Sequence, residues 1–283
     1  TTIRMRQDGQ QGGKAALANA VNQTVLGSAV SIDFPHVLAA KKEISNWNFM
    51  QLNPEILREP TKYEINLNDQ IGHAGENLAA ALYRIKEEDA YNLQLISIKL
   101  NSFLPEFIQV DVLDDSANKQ YLIRLKNEDG KMFTSRVLSE GTLRLLALCI
   151  LLYDDKYQGL LCFEEPENGI HPFRMATMVE LLRALSTSFE QGDSLRQVIV
   201  NTHSPVFLRV LNSHFNNEDS CVSIWFSKLT TKLITKENTK RKLRTSKMVP
   251  LTKNLQYSFS EADIKMTVAD AARYLETQER REL

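Results

Sequence analysis

The chain has 283 residues, 43% apolar and 24% charged, with a formal net charge of −1, enough length and apolar content for a substantial core. A near-neutral balance excludes a global field for nucleic acid, so any such contact has to come from a local patch. No run of about 18 apolar residues is present and the N-terminus shows no signal-peptide pattern, which argues against a membrane-spanning helix. The three cysteines, Cys149, Cys162 and Cys221, lack CxxC spacing and read as reduced core residues of a cytoplasmic protein.

In chain order, residues 4–14 are polar and flexible in composition, and residues 15–25 have mildly helical character. Residues 47–58, with clustered aromatics and Pro54, predict a packed turn more than a long element. Asn77, Leu78, Ala81, Leu82 and Ile85 form one helical stripe, and Leu93, Ile96, Ile98, Leu100 and Phe103 a second that Pro105 ends. Residues 107–113 and 121–126 alternate like paired strands across a polar loop. Downstream, residues 143–153 predict an apolar helix, 160–163 a buried strand, 172–188 a helix, and 198–200 and 222–226 two more buried strands. Short strands separated by helices predict a parallel α/β sheet. Residues 268–275 read as an amphipathic helix.

Three blocks carry chemistry. The strand at 160–163 runs into Glu164 and Glu165, at the sheet edge where open α/β sheets bind ligands. Successive strand side chains point opposite ways, so one carboxylate can hold the water shell of Mg²⁺ and the other can orient an attacking water; the bland alternative is an acidic loop after a buried strand. The strand at 198–200 ends in Asn201, Thr202, His203 and Ser204. One helix separates the two strands, so their ends can be neighbours, with the imidazole at a terminal phosphate. Upstream, Ser139 is a candidate N-cap for the apolar helix, and Gly141 permits close backbone approach to a phosphate.

In that order, LSEGT (138–142), GLLCFEEPENGIHP (159–172) and VIVNTHSP (198–205) resemble the signature motif, the Walker B strand with its D-loop, and the H-loop of ABC-type ATPases. The forms are most similar to the soluble, SMC-like "AAA family" ATPases related to OLD-family and anti-phage proteins, and AGENLAAALYRI (74–85) is similar to a helix of their lobe. The resemblance covers roughly residues 47–211. It implies a P-loop NTPase fold with a mostly parallel sheet and a helical, signature-bearing lobe, and cofactors ATP and Mg²⁺. It places Glu164 at the Mg²⁺-organising position, usually Asp in such proteins, Glu165 at the general base and His203 at the γ-phosphate contact. Ser139 and Gly141 match groups that reach the nucleotide of an opposing protomer, and Asn168, Gly169 and His171 fall in the D-loop between protomers. Implied with these is a homodimer closed by ATP. Expected regions are a helical lobe with a β-hairpin (1–135), the signature, Walker B and H-loop core (136–227), and a basic hairpin with a C-terminal helix (228–283).

A Walker A loop, GxxxxGK[ST] after a strand, is not found. The nearest run, Gly9 to Ala15, is one residue short, lacks Ser or Thr after Lys14 and follows no predicted strand. In the resembled family the Walker A loop lies far upstream of the helical lobe, so the resemblance implies a phosphate cradle before Thr1, and the 283 residues alone are expected to bind ATP poorly and to hydrolyse it negligibly. Between 228 and 247 eight cations face one acid, Glu237; Lys236, Lys240, Arg241, Lys242 and Arg244 are candidate DNA contacts, against the plainer reading of a solvated hairpin. Two functions follow: a switch or motor in DNA maintenance or phage defence, or a nucleotide-gated module controlling an effector protein. A transporter subunit is disfavoured, because the motif forms are those of soluble relatives.

Overall fold

The computed structural model describes residues 2–6, 13–17, 24, 26–27, 34–63, 69–187, 195–215, 222–236, 239–250, 271 and 273. The chain opens with an antiparallel pair, β1 (Thr2–Arg6) and β2 (Gly13–Leu17), so the helical character expected from residue 15 onward gives way to a strand at Gly13–Leu17. A strand, β1, therefore does precede the Gly9–Ala15 run, contrary to the expectation, while Gly9 to Gly12 lie outside the described residues. Helix α1 (Pro35–Ser45) leads into β3 (Asn48–Met50), α2 (Pro54–Arg58) and β4 (Thr61–Lys62). The packed turn expected at 47–58 thus contains a strand of the central sheet.

Helices α3 (Leu78–Glu88) and α4 (Ala90–Phe103) occupy the two predicted helical stripes. Leu78, Ala81, Leu82 and Ile85 on α3 and Ile96 and Leu100 on α4 are buried, whereas Ile98, expected on the same stripe, is 65% exposed, because two residues from Ile96 and Leu100 it turns to the opposite side of the helix. They pack on an antiparallel sheet of β5 (Phe107–Asp115), β6 (Gln120–Asn127), β4 and a short β7 (Met132–Thr134). Val110 and Val112 face Leu125 and Ile123 across the β5–β6 register, and all four are buried.

Helix α5 (Glu140–Leu152) is the hub. Every residue from Gly141 to Leu151 is buried, which fits a helix apolar on all sides. Ser139 caps it, its Oγ accepting from the Thr142 N–H at 3.2 Å. Arg196 serves its far end: the guanidinium reaches the carbonyls of Leu151, Leu152 and Asp154 at 3.4–3.5 Å and that of Tyr157 at 2.7 Å, satisfying acceptors that a helix terminus leaves open.

The central sheet runs β3, β8 (Gly159–Glu164), β9 (Arg196–Asn201), all parallel. Helix α6 (Met175–Leu185), preceded by a 3₁₀ turn at Pro172–Arg174, makes the β8–β9 crossover, and α7 (Pro205–Phe215) follows β9. Leu161 and Phe163 face the core, whereas Phe49, Cys162 and Ile199 stand in register on the opposite face, with Phe49 and Ile199 58% and 49% exposed.

The last pair is β10 (Trp225–Lys236) and β11 (Thr239–Pro250), antiparallel over twelve residue pairs and separate from the central sheet. This corrects the buried strand expected at 222–226: residues 222–224 are outside any strand and Trp225 begins the hairpin, because its backbone pairs with Pro250 and not with β9. Phe226 at its base packs in a small cluster with Leu208 and Ile224. Of the C-terminal helix expected at 268–275, only 271 and 273 are among the described residues, both helical. No helix among the described residues is long and apolar enough to cross a membrane.

Candidate functional site

Parallel pairing places Glu164 at the last position of β8, directly opposite Asn201 at the last position of β9. The two side chains join there, Asn201 Nδ2 donating to Glu164 Oε1 at 2.8 Å. One residue later the backbone turns sharply. Glu165 has φ +44°, a left-handed conformation that costs a non-glycine residue roughly 1–2 kcal/mol. Its N–H donates to the Asn201 carbonyl at 2.8 Å, so the strand partner continues to hold it after the ladder ends. The turn carries the Glu165 carboxylate to His203, with Nε2 and Oε1 3.7 Å apart. Asn168 Nδ2 donates to the other oxygen, Oε2, at 2.6 Å. The predicted carboxylates and imidazole are thus brought together at one sheet edge.

Residues 166–171 form a turn that folds back on the start of α5. A Cβ at Gly141 would lie 3.2 Å from the Gly169 carbonyl, and one at Gly169 would lie 2.8 Å from Glu140 Oε2. Gly169 has φ +72°, so both contact and backbone favour glycine there. The expected signature and D-loop segments therefore pack on each other within one chain, with Gly141 buried and Ser139 exposed. His171 is exposed, stacks on Phe173 at 5.1 Å between ring centroids and accepts from the Phe173 N–H at 3.4 Å through Nδ1.

Three groups beyond the predicted set belong to the site. Glu167 is 6% exposed and accepts the Thr202 hydroxyl through Oε1. Burial pushes its carboxyl above the ordinary carboxylate range, against the pull of the Thr202 hydroxyl and the Ser204 N–H. Arg144, on α5, is 8% exposed; burial lowers its pKa, while Glu140, Glu167 and Glu165 act in the opposite sense. Asn201 orients Glu164. Glu167 and Asn201 lie inside the motif strings, yet neither spacing nor composition shows that one would be buried and the other would reach across the sheet.

The donor set suits Mg²⁺. This hard cation binds through one or two carboxylates, water and substrate phosphate, and Glu164 offers an exposed carboxylate at the strand end whose Oε1 is already oriented. No cluster of three or more His, Cys, Asp or Glu among the described residues forms an all-protein cage. The candidate DNA contacts lie elsewhere. Lys242 and Arg244 are exposed on β11 and share one face by register with position 240, while position 241 falls on the other; the side chains of Lys236, Lys240 and Arg241 are outside the described residues.

No curated protein matches the chain. Among solved structures it is similar to an SMC ATPase described in terms of ATP-driven dimerization and DNA-stimulated activation, at 13% identity over 70% of this chain and 97% of that one, TM-score 0.40. It is also similar to the Smc head domain with a coiled coil and joint from Pyrococcus yayanosii, at 11% identity over 72% of this chain and 34% of that one, TM-score 0.37. A third is the Smc head domain with an extended coiled coil bound to the C-terminal domain of ScpA from Pyrococcus furiosus, at 9% identity over 60% of this chain and 41% of that one, TM-score 0.33. The chain thus spans less than half the length of the two Pyrococcus chains. The family described as "AAA domain, putative AbiEii toxin, Type IV TA system" matches residues 39–209, which is more than half of the chain and takes in β3, β8, β9 and all three motif blocks. The chain belongs to this AAA-domain family of P-loop ATPases.

Proposed function

We propose that the chain is the catalytic-carboxylate and signature part of an ATP-hydrolysing head that dimerises on ATP and acts as a switch or motor in DNA maintenance or phage defence. The observation that carries this reading is the convergence of Glu164, Glu165 and His203 at the ends of two adjacent parallel strands. In this reading Glu165 orients and deprotonates the attacking water, steadied by Asn168 on its second oxygen. His203, with a largely exposed side chain, faces the terminal phosphate, and the rigid Asn201–Glu164 pair presents a carboxylate to Mg²⁺ through water. When bound there, Mg²⁺ would neutralise charge on the transferring phosphoryl group. Ser139 at the exposed N-terminus of α5 offers backbone and hydroxyl donors to the nucleotide of a second protomer.

Convergence of two chains on one polyanion makes the dimer stable only while the nucleotide is intact. The test is sedimentation of the full-length protein carrying Glu165→Gln with ATP and Mg²⁺. A dimer that persists with ATP and dissociates with ADP is expected, and a monomer under both conditions refutes the proposal. The 283 residues alone are proposed to be inactive for want of a phosphate loop.

A second reading, in which the hairpin engages an effector protein and not DNA, is favoured by one face of its base. Trp225, Leu229 and Met248 share that face by register and are 55%, 64% and 55% exposed. DNA binding should weaken steeply with salt and with Lys242→Glu and Arg244→Glu; effector binding should instead be lost in Leu229→Asp and survive those charge reversals.

A further inference from the structure

The ATPase reading gives His203 a role, and the structure raises the question of what keeps it in place. Its side chain is 73% exposed and its Nε2 lies 3.7 Å from Glu165 Oε1, too long for a hydrogen bond. Residues 202–204 lie between β9 and α7 and belong to neither. The position of the imidazole is therefore decided by what anchors the backbone on either side.

Upstream, the Asn201 carbonyl accepts the Glu165 N–H at 2.8 Å and its side chain holds Glu164. Downstream, the Ser204 Oγ accepts the Phe207 N–H at 3.2 Å in the first turn of α7. Between these anchors the Thr202 hydroxyl does two things. It accepts the Ser204 N–H at 3.0 Å, closing a short turn around His203, and it donates to the buried Glu167 carboxylate. Glu167 is itself fixed by the turn that carries Glu165 and Asn168, since its carbonyl accepts the Ile170 N–H at 3.0 Å. The residue that orients Glu165 and the residue that fixes the His203 turn thus come from one loop.

We infer that Glu167, acting through the Thr202 hydroxyl, is a positioning residue that holds the 202–204 turn so that His203 faces Glu165. This rests on the ATPase reading for its consequence, though not for its geometry. A buried carboxylate is well matched to that role, because it accepts a hydroxyl strongly and Glu167 is 6% exposed. Thr202→Val is the informative variant, because it keeps the shape and deletes only the hydroxyl; Thr202→Ser restores it.

Two measurements separate the parts. Hydrogen exchange on the full-length protein reads the turn directly: the Ser204 amide should lose protection in Thr202→Val and in Glu167→Ala, and regain it in Thr202→Ser. Steady-state hydrolysis by the full-length protein reads the consequence. Thr202→Val should lower kcat by about 10²-fold, the scale of a misplacement near 1 Å, with KM for ATP changed by less than about threefold. Thr202→Ser should recover kcat to within about threefold. Wild-type protection at Ser204 in Thr202→Val overturns the clamp whatever the enzyme does. Lost protection with unchanged kcat, in a protein whose hydrolysis is abolished by Glu165→Gln, overturns the positioning role. Hydrolysis that survives Glu165→Gln overturns the ATPase assignment, while the exchange result still decides the clamp.

Discussion

Replacing Asp154 by alanine removes a carboxylate with no exposed surface just beyond the C-terminal end of α5. Its Oδ2 receives Arg84 Nη2 at 2.6 Å and its Oδ1 receives the Lys156 N–H at 3.0 Å. Arg84, on α3, is 10% exposed and also reaches Glu88 at 2.9 Å and Asp69 at 3.2 Å. Breaking a buried pair by deleting one partner costs about 3–5 kcal/mol when the survivor is left bare. Here Arg84 keeps two partly exposed partners, so the lower end applies, and we expect a loss of about 3 kcal/mol. For a chain of 283 residues that lowers Tm by roughly 5 °C. Burial pushes the Arg84 guanidinium down, but the bond and charge of Asp154 raise it above the ordinary arginine value. Its contribution is thus fully present at any pH below that value, and the loss should be the same at pH 6 and pH 8. Thermal unfolding and urea titration of wild type and Asp154→Ala, each at about 0.15 M and about 1 M salt, give the value; a buried pair should show little screening. A loss below about 0.5 kcal/mol, or one that vanishes in high salt, would refute the reasoning.

Other expectations concern single contacts. Asp111 is held below the ordinary aspartate value of 3.8, burial acting upward but the bonds from Arg124 and Lys86 prevailing. Its stabilising contribution is present above the unfolded value and lost as pH falls through the folded one. Asp111→Asn should therefore cost about 1–2 kcal/mol at neutral pH, and the difference from wild type in urea titrations should shrink below about pH 3.8. Gly169→Ala forces an L side chain into φ +72° against Glu140, and should lower stability by about 1–2 kcal/mol, measurable by urea titration. The Cys149 thiol is pushed by burial up to about 12, so alkylation at pH 8 should modify the half-buried Cys162 before Cys149 and reach Cys149 only on unfolding.

How far the sequence reached depends on the length and periodicity of each segment. Helix α5 and strands β8 and β9 were legible because an almost unbroken apolar run at 143–153 and two short apolar runs ending in polar clusters have few other solutions. Strand β3 was not. It is three residues long, with Phe49 exposed and Met50 buried, and its strand character comes from pairing with β8, which no local pattern encodes. The same holds for β7, and for Trp225, whose apolar neighbours resemble a core strand although its partner is β11. At the site, residue types and spacing singled out Glu164, Glu165 and His203, which the structure brings to one sheet edge. The burial of Glu167 and its bond to Thr202 come from the packing of two loops far apart in sequence, and no periodicity records that.

Central to the proposed function is Glu165 as general base, with Glu164 at the end of β8, His203 in the turn after β9 and Ser139 capping α5. Single-turnover hydrolysis of ATP by full-length wild type and Glu165→Gln, with nucleotide affinity measured in parallel, tests it most directly. A rate lower by about 10²–10⁴-fold in Glu165→Gln, with affinity unchanged within about threefold, is expected. Hydrolysis at the wild-type rate in Glu165→Gln would contradict it.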